Sequence, residues 1–362
     1  MRMNPRHLSP AKPGVVAGAA FTLVEVLVSM TIVIILLLVS AQVIGTVQST
    51  WTTSNARVSQ FREARTAFDI ITRNLSQATL NSYIDYDNSY LETATDAVVI
   101  ASTGPPTKYV RKSDLRFLCG QATDLLVEGG GGEDASPGHA VFFQAPLGVS
   151  HDPAYVGLDR LMCARGYFVQ YTSDDFFRPG ILPPSLPRFR YRLMEFSPPA
   201  EKNFIYGGEG EAANAWFADA GALINTTETP TARGLTRPIA DNIVALIIAP
   251  QFEIPGGEGS TTDAYQTVYN YDSMTADEEA PGLNDNQLPS LVKVVLVAID
   301  ERTADRLSQS ANPESPPFQS LINYSADLDA MVEGISKTLS DQSVNFRIFS
   351  ATVAIRGAKW SS

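Results

Sequence analysis

The chain opens on an apolar run that no charged residue interrupts between Glu25 and Arg57. A span of about 20 predominantly apolar residues is enough to cross a bilayer core as a helix. Beyond that run the pattern narrows instead of stopping. Val47, Trp51, Val58, Phe61, Phe68, Ile71 and Leu75 recur mostly at steps of three or four, with Arg57, Arg62, Glu63, Arg65, Asp69 and Arg73 filling much of the other face. That spacing predicts one amphipathic stripe on a continuing helix. No proline falls between Pro13 and Pro105, so one helix from Phe21 to about Leu80 is allowed. At 1.5 Å per residue it would be about 90 Å long.

From residue 81 onward the pattern turns to strands. Runs at 96–101, 139–145 and 167–172 have strand composition, and 115–118 and 125–127 are weaker ones. Residues 188–196 alternate polar and apolar, as a half-buried strand does, and 344–356 alternate again. Residues 239–246 lead into a further run at 247–254, and Leu291–Ile299 is almost continuously apolar, the signature of a strand central in its sheet. Residues 212–224 and 318–339 read as helices, 128–138 and 256–287 as loops, 179–187 as a proline-rich connector and 305–317 as a polar, proline-bearing stretch. The expected class is α+β: a long N-terminal transmembrane and amphipathic helix packed on antiparallel β-sheets. The expected divisions are 1–20, a leader; 21–47, the membrane half of the helix; 48–80, its amphipathic half; and 81–362, an exported domain large enough for a substantial core.

Glu25 is the residue this pattern leaves to be explained. A carboxylate in a membrane segment costs roughly 2.5–3.5 kcal/mol on insertion scales, so its default reading is functional, with a partner to be named. It stands in Phe21-Thr22-Leu23-Val24-Glu25, ahead of the apolar helix and behind the small residues Ala19 and Ala20. This arrangement resembles the type IV prepilin signature of pilins and pseudopilins. The resemblance implies cleavage by a prepilin peptidase between Ala20 and Phe21, methylation of the new amine, and a fold of pilin type. It also implies an assembly role for Glu25, whose carboxylate meets the amino terminus of a neighbouring subunit. Ala20 departs from the glycine usual there; a cut after Gly18 would restore glycine but move Glu25 two places out of register. The partners implied are the peptidase, other pilin or pseudopilin subunits and inner-membrane lipid.

Later residues carry a weaker likeness. Ala240-Asp241-Asn242-Ile243 through Leu246, and the closing strand with its final arginine, resemble W-type minor pilins and J-type pseudopilins. The ending Lys359-Trp360-Ser361 is similar to the prepilin-type family called Verru_Chthon cassette protein C. The implied role is a structural subunit of a type IV pilus or type II secretion-like filament, not an enzyme.

Charge sets the orientation. Arg2, Arg6 and Lys12 are the charged side chains before Glu25, so this end is expected to stay cytoplasmic and the globular part to lie in the periplasm or a cell-envelope filament. Losing residues 1–20 removes these three positive charges and no negative one, taking the formal net charge from −12 to −15. An acidic chain disfavours nucleic acid as a partner, because phosphate binding needs a basic surface. Two simpler readings of the N-terminus stay open. One is a secretory signal cut at Val39-Ser40-Ala41, leaving Gln42 first; the other is an uncleaved anchor.

Candidate chemistry is sparse. Cys119 and Cys163 are the two cysteines; an oxidising compartment would let them pair, and their spacing is not that of a metal or redox motif. The three histidines, His7, His139 and His151, lack metal-ligand spacing. The four glycines before Glu133 precede no Gly-Lys-Ser/Thr and make no phosphate loop. Acidic clusters at 174–175, 277–279 and 284–286 supply the oxygens calcium takes, but without the EF-hand pattern, and solvated loop charge is their ordinary reading. No cofactor and no catalytic or metal residue is assigned. The rival to a structural role is a membrane-tethered binding or hydrolytic domain that uses a prepilin-type export signal, with the acidic loops or the His139 and His151 region lining its pocket. Paired carboxylates for glycoside hydrolysis leave that open, since their separation is a three-dimensional quantity.

Overall fold

A computed structural model describes residues 22–86, 109–126, 136–150, 152–155, 157–158, 160–174, 188–202, 216–217, 220, 235–253, 265–267, 269–274, 286–309, 316–318, 321–324 and 327–358. The expected strand at 96–101, the connector at 179–187 and most of the expected helix at 212–224 lie outside the described residues; at the expected strand 125–127, Leu125 instead ends a short helix, Ala122–Leu125, that Leu126 caps. The chain divides into two compact units, Met1–Ala56 and Arg57–Ser362.

The N-terminal unit is helical from Leu23, the start of α1 (Leu23–Leu75). Leu23–Trp51 is a 29-residue stretch long and apolar enough to cross a membrane, a property it shares with signal sequences, and none of it is buried within the chain. Leu36, Leu37 and Trp51 are 60%, 64% and 72% exposed.

In the second unit α1 changes character. Ala64, Ala67, Phe68, Ile71 and Leu75 are buried at helical spacing, while Arg62, Arg65, Asp69 and Arg73 face outward. The stripe begins on the small Ala64 and Ala67 and continues on the larger Phe68, Ile71 and Leu75. The helix ends at Leu75, not Leu80, because the next residues bond to strands. The carbonyl of Ser76 accepts from the Arg356 N–H, and the Thr79 N–H donates to the Gln144 carbonyl, each at 3.0 Å.

The strands follow in chain order. The first are β1 (Tyr83–Tyr86), β2 (Tyr109–Lys112), β3 (Leu118–Gln121), β4 (His139–Pro146) and β5 (Met162–Ser173). Then come β6 (Phe189–Phe196), β7 (Thr236–Asp241), β8 (Ile243–Glu253), β9 (Tyr265–Thr267) and β10 (Tyr271–Asp272). The last are β11 (Leu291–Ile299) and β12 (Phe346–Ala354). They form a two-stranded ribbon β1-β2, a six-stranded sheet β10-β3-β4-β5-β6-β7 and a four-stranded sheet β12-β11-β8-β9. Every ladder between these strands is antiparallel. The mixed α+β class expected from the sequence is therefore present.

The larger sheet buries both faces. Val141, Phe143, Tyr167, Val169 and Leu193 belong to the main core with α1, and the alternating residues Phe142, Phe168, Met194 and Phe196 form a second cluster with Trp216 and Phe217. Gly166 sits opposite Phe142 in the β4–β5 ladder, and a Cβ there would come within 2.4 Å of the Phe142 ring. In the smaller sheet Ile243 through Ala249 are all fully buried, which is why the run reads as continuously apolar. Phe349 on β12 meets Phe68 of α1 at 6.0 Å between ring centroids.

A four-residue helical turn, Ala122–Leu125, follows β3, and two longer helices come after β11. α2 (Glu301–Gln309) occupies part of the stretch read as polar coil, and α3 (Leu328–Asp341) begins ten residues later than the expected Phe318, capped by the Asp327 carboxylate, which accepts from the Ala330 N–H at 2.7 Å. The continuous run expected at 239–254 is broken at Asn242, whose backbone is left-handed (φ 62°) and separates β7 from β8. The expected loop at 256–287 contains β9 and β10.

Candidate functional site

Ala20 and Phe21, the expected cleavage pair, lie outside the described residues. Glu25 is described, exposed, and placed in the first turn of α1. Its carboxylate Oε2 accepts from the backbone N–H of Thr22 at 3.3 Å and from the Thr22 hydroxyl at 3.2 Å. In return the Glu25 N–H donates to the Thr22 Oγ1 at 3.3 Å. Residues 22 and 25 thus form a reciprocal capping box, which satisfies N–H groups that an α-helix leaves orphaned at its start. A carboxylate in the first turn also faces the positive end of the helix dipole. The Thr-x-x-Glu spacing signals this arrangement in the sequence, where the prepilin resemblance alone had drawn attention to Glu25.

The cysteines are not bridged. Cys119 and Cys163 are both buried and free, and β4 lies between them: Cys119 is in register with Val141 and Cys163 with Ala145. Burial pushes the Cys119 thiol well above its usual range. Cys163 donates from Sγ to the Leu161 carbonyl at 3.4 Å. The pairing considered from the sequence is absent.

His139 does not line an open cleft. It is fully buried, stacked on Tyr269 at 5.7 Å and edge-on to Tyr324 at 5.5 Å, and neither ring nitrogen has a hydrogen-bond partner. Burial lowers its pKa to about 4, so the imidazole is neutral at ordinary pH. His151 lies outside the described residues, as do Asp175, residues 277–279 and 284–285. Among the described residues no group of three or more His, Cys, Asp and Glu side chains could hold a metal ion.

Sequence reading missed a polar network under the last turns of α1. The Asn74 amide donates to the Tyr167 hydroxyl at 2.7 Å, and that hydroxyl donates to Glu195 Oε1 at 2.9 Å. Arg237 donates to the other oxygen, Oε2, through Nε at 3.1 Å and Nη2 at 2.8 Å. Arg165, 5% exposed, brings its Nε to 3.9 Å from Oε1. Burial and the neighbouring Glu195 charge push the Tyr167 phenol well above its ordinary pKa, so it stays a donor. These residues are scattered through the sequence from 74 to 237, and only the β5–β6–β7 register brings them together.

A second polar group joins α1 to β7. Glu63 accepts from the Asp241 N–H at 3.2 Å, and burial together with the charges of Asp241 and Glu301 raises its pKa. Arg190 pairs with Glu301 and Asp305, and Arg192 with Asp241 at 3.0 Å.

Comparison of the chain with protein families, with curated proteins and with solved structures finds no match.

Proposed function

We propose that this chain is a structural subunit of a pilus-like or pseudopilus-like envelope filament, of minor-pilin type. The observation that carries the reading is the unburied apolar stretch Leu23–Trp51 with Glu25 alone among acidic and basic residues within it. An exposed apolar surface of this extent needs a covering, first lipid and then neighbouring helices. In this reading a peptidase frees the amine of Phe21, and that amine meets the Glu25 carboxylate of an adjacent subunit. Opposite charge at short range offsets part of the carboxylate's desolvation cost. The unit Arg57–Ser362 is then displayed outside the membrane, where its loops and sheets vary without disturbing the helix bundle. The role is structural, not enzymatic.

The test is assembly. The chain is expressed with a prepilin peptidase and its companion subunits, and sheared filaments are probed for it. Glu25→Gln keeps a capping side chain but removes the charge, so it should be processed yet largely missing from filaments. Incorporation of Glu25→Gln at the level of the unaltered chain would overturn the reading.

A further inference from the structure

We propose that the outer edge of β12 is a docking site for an extended, acidic segment of a partner protein, which adds to the smaller sheet as one more strand. This goes beyond the filament role and does not depend on it. β12 is the end strand of its sheet, nine residues long and in unbroken register with β11 from Ala354 opposite Leu291 to Phe346 opposite Ile299. The bonds at its two ends show which backbone groups face outward. The Asp300 N–H donates to the Asn345 carbonyl at 3.0 Å, and the Ile355 N–H donates to the Ser290 carbonyl at 3.1 Å. The odd-numbered residues therefore bond toward β11, and in an antiparallel ladder the residues between them do not. Phe346, Ile348, Ser350, Thr352 and Ala354 turn their N–H and C=O groups away from the sheet. Arg356, next in that series, donates its N–H to the Ser76 carbonyl at 3.0 Å, as the same alternation requires. Along β12 itself no described residue pairs with the outer edge, and Ser350, Thr352 and Ala354 are exposed.

An unpaired strand edge is a template for another strand, and folded proteins guard such edges with proline, charge, bulges or shortness. The other described edges are guarded in these ways. β9 and β10 have three and two residues, and β1 and β2 have four each. β7 carries Pro238 and a register break opposite Leu193 and Met194, and its Asp241 N–H is taken by Glu63. β12 has no proline, no bulge, no lysine and no acid. Its one charged side chain, Arg347, lies over the rings of Phe61 and Phe349, at 6.0 and 5.5 Å from their centroids, on a face of the sheet and not across the edge.

The backbone groups call for an extended peptide, and the charges beside them call for an acidic one. Arg347 near the start of the edge and Arg356 just past its end are exposed, and among the described residues no carboxylate pairs with either. A strand laid along β12 takes its affinity from main-chain hydrogen bonds and its preference from the guanidinium near each end. A second copy of β12 brings two more arginines and no acid to the edge, so the charges favour a different chain.

The experiment is fluorescence anisotropy with the full chain in phosphatidylcholine nanodiscs. The probe is a dye-labelled peptide, Asp-Thr-Val-Thr-Val-Thr-Val-Thr-Asp. One control has lysine at both ends; the other is N-methylated at every threonine and valine, which keeps the side chains and prevents strand pairing. The acidic peptide should bind saturably and both controls at least about tenfold more weakly. Ser350→Pro removes an outward N–H and no bond to β11, so it should keep the melting temperature and weaken the acidic peptide at least about tenfold. Arg347→Gln should cut the preference for the acidic over the lysine peptide about tenfold, and it decides the matter should Ser350→Pro fail to fold. The inference is overturned by absence of saturable binding of the acidic peptide, by equal binding of either control, by unchanged affinity in Ser350→Pro, or by a preference that survives Arg347→Gln. A dimer of the full chain in detergent that Ser350→Pro dissociates would also overturn it, by giving the edge to a second copy.

Discussion

Thr22 and Glu25 cap one another at the start of α1, each side chain accepting from the other's backbone N–H at 3.3 Å. This gives Glu25 a partner inside its own chain as well as the intermolecular one proposed for it. The two roles separate by mutation. Thr22→Ala removes the cap and keeps the charge, at a cost of about 1 kcal/mol in helix-start stability. It should still enter filaments, whereas Glu25→Gln should not; immunoblots of sheared filaments compare the two. Equal loss in both would assign Glu25 to capping alone.

The second half of α1 is held by its buried stripe and not by its surface charges. Ile71 is fully buried, so Ile71→Ala should cost about 2–5 kcal/mol. Asp69 pairs with Arg65 at 3.8 Å on a side chain 62% exposed, and Asp69→Ala should change stability by less than about 0.5 kcal/mol. Denaturant unfolding of the full chain in detergent, followed by circular dichroism, measures both.

Tyr167 links Asn74 to Glu195 beneath the helix. Tyr167→Phe keeps the ring and strands both partners, for a loss of about 1–3 kcal/mol. The unfolding midpoint should fall accordingly; an unchanged midpoint would mean water takes the hydroxyl's place.

His139 should make stability depend on pH. Its folded pKa, about 4, lies below the ordinary 6.5, because burial penalises the charged ring. Between these values the unfolded chain binds the extra proton, so this contribution is complete above about pH 6.5 and is lost as pH falls toward 4. The shift corresponds to about 3 kcal/mol. Glu63, raised above 4.5, acts in the opposite direction just above that pH. The difference between the unaltered chain and His139→Phe isolates the histidine: the melting temperature of the unaltered chain should fall relative to that of His139→Phe as pH falls from 6.5 to 4, and a difference that does not change with pH would contradict the assignment.

The free cysteines give a fifth contrast. With Cys119 and Cys163 buried and separated by β4, the melting temperature should be the same with and without a reducing agent. A drop on reduction would require a bridge the strand register does not permit.

Much of the frame was legible where burial was one-sided or complete. β11 has the expected bounds, Leu291–Ile299, because a strand covered on both faces is apolar throughout. β12 showed its period of two, whereas β6, whose alternation reads as a half-buried strand, is buried on both faces, its Arg190, Arg192 and Glu195 being ion-paired. α2 was hidden because its buried positions are the small residues Thr303 and Ala304; the Asp300 carboxylate, accepting from the Thr303 N–H at 3.3 Å, is the cap signal that marked it. The break at Asn242 follows from a left-handed backbone in an otherwise strand-like run, tied by its N–H to the Tyr191 carbonyl at 2.8 Å and by its carbonyl to the Ile299 N–H at 2.9 Å. Glu25 was visible from the start, whereas the Asn74–Tyr167–Glu195–Arg237 network depends on sheet register that no local pattern encodes.

The account rests on what the amino terminus of the mature chain is. Mass spectrometry of the protein recovered from its native membrane should find a methylated Phe21 as the first residue, which places Glu25 beside a newly made amine. A chain beginning at Gln42, or one retaining Met1, would contradict it.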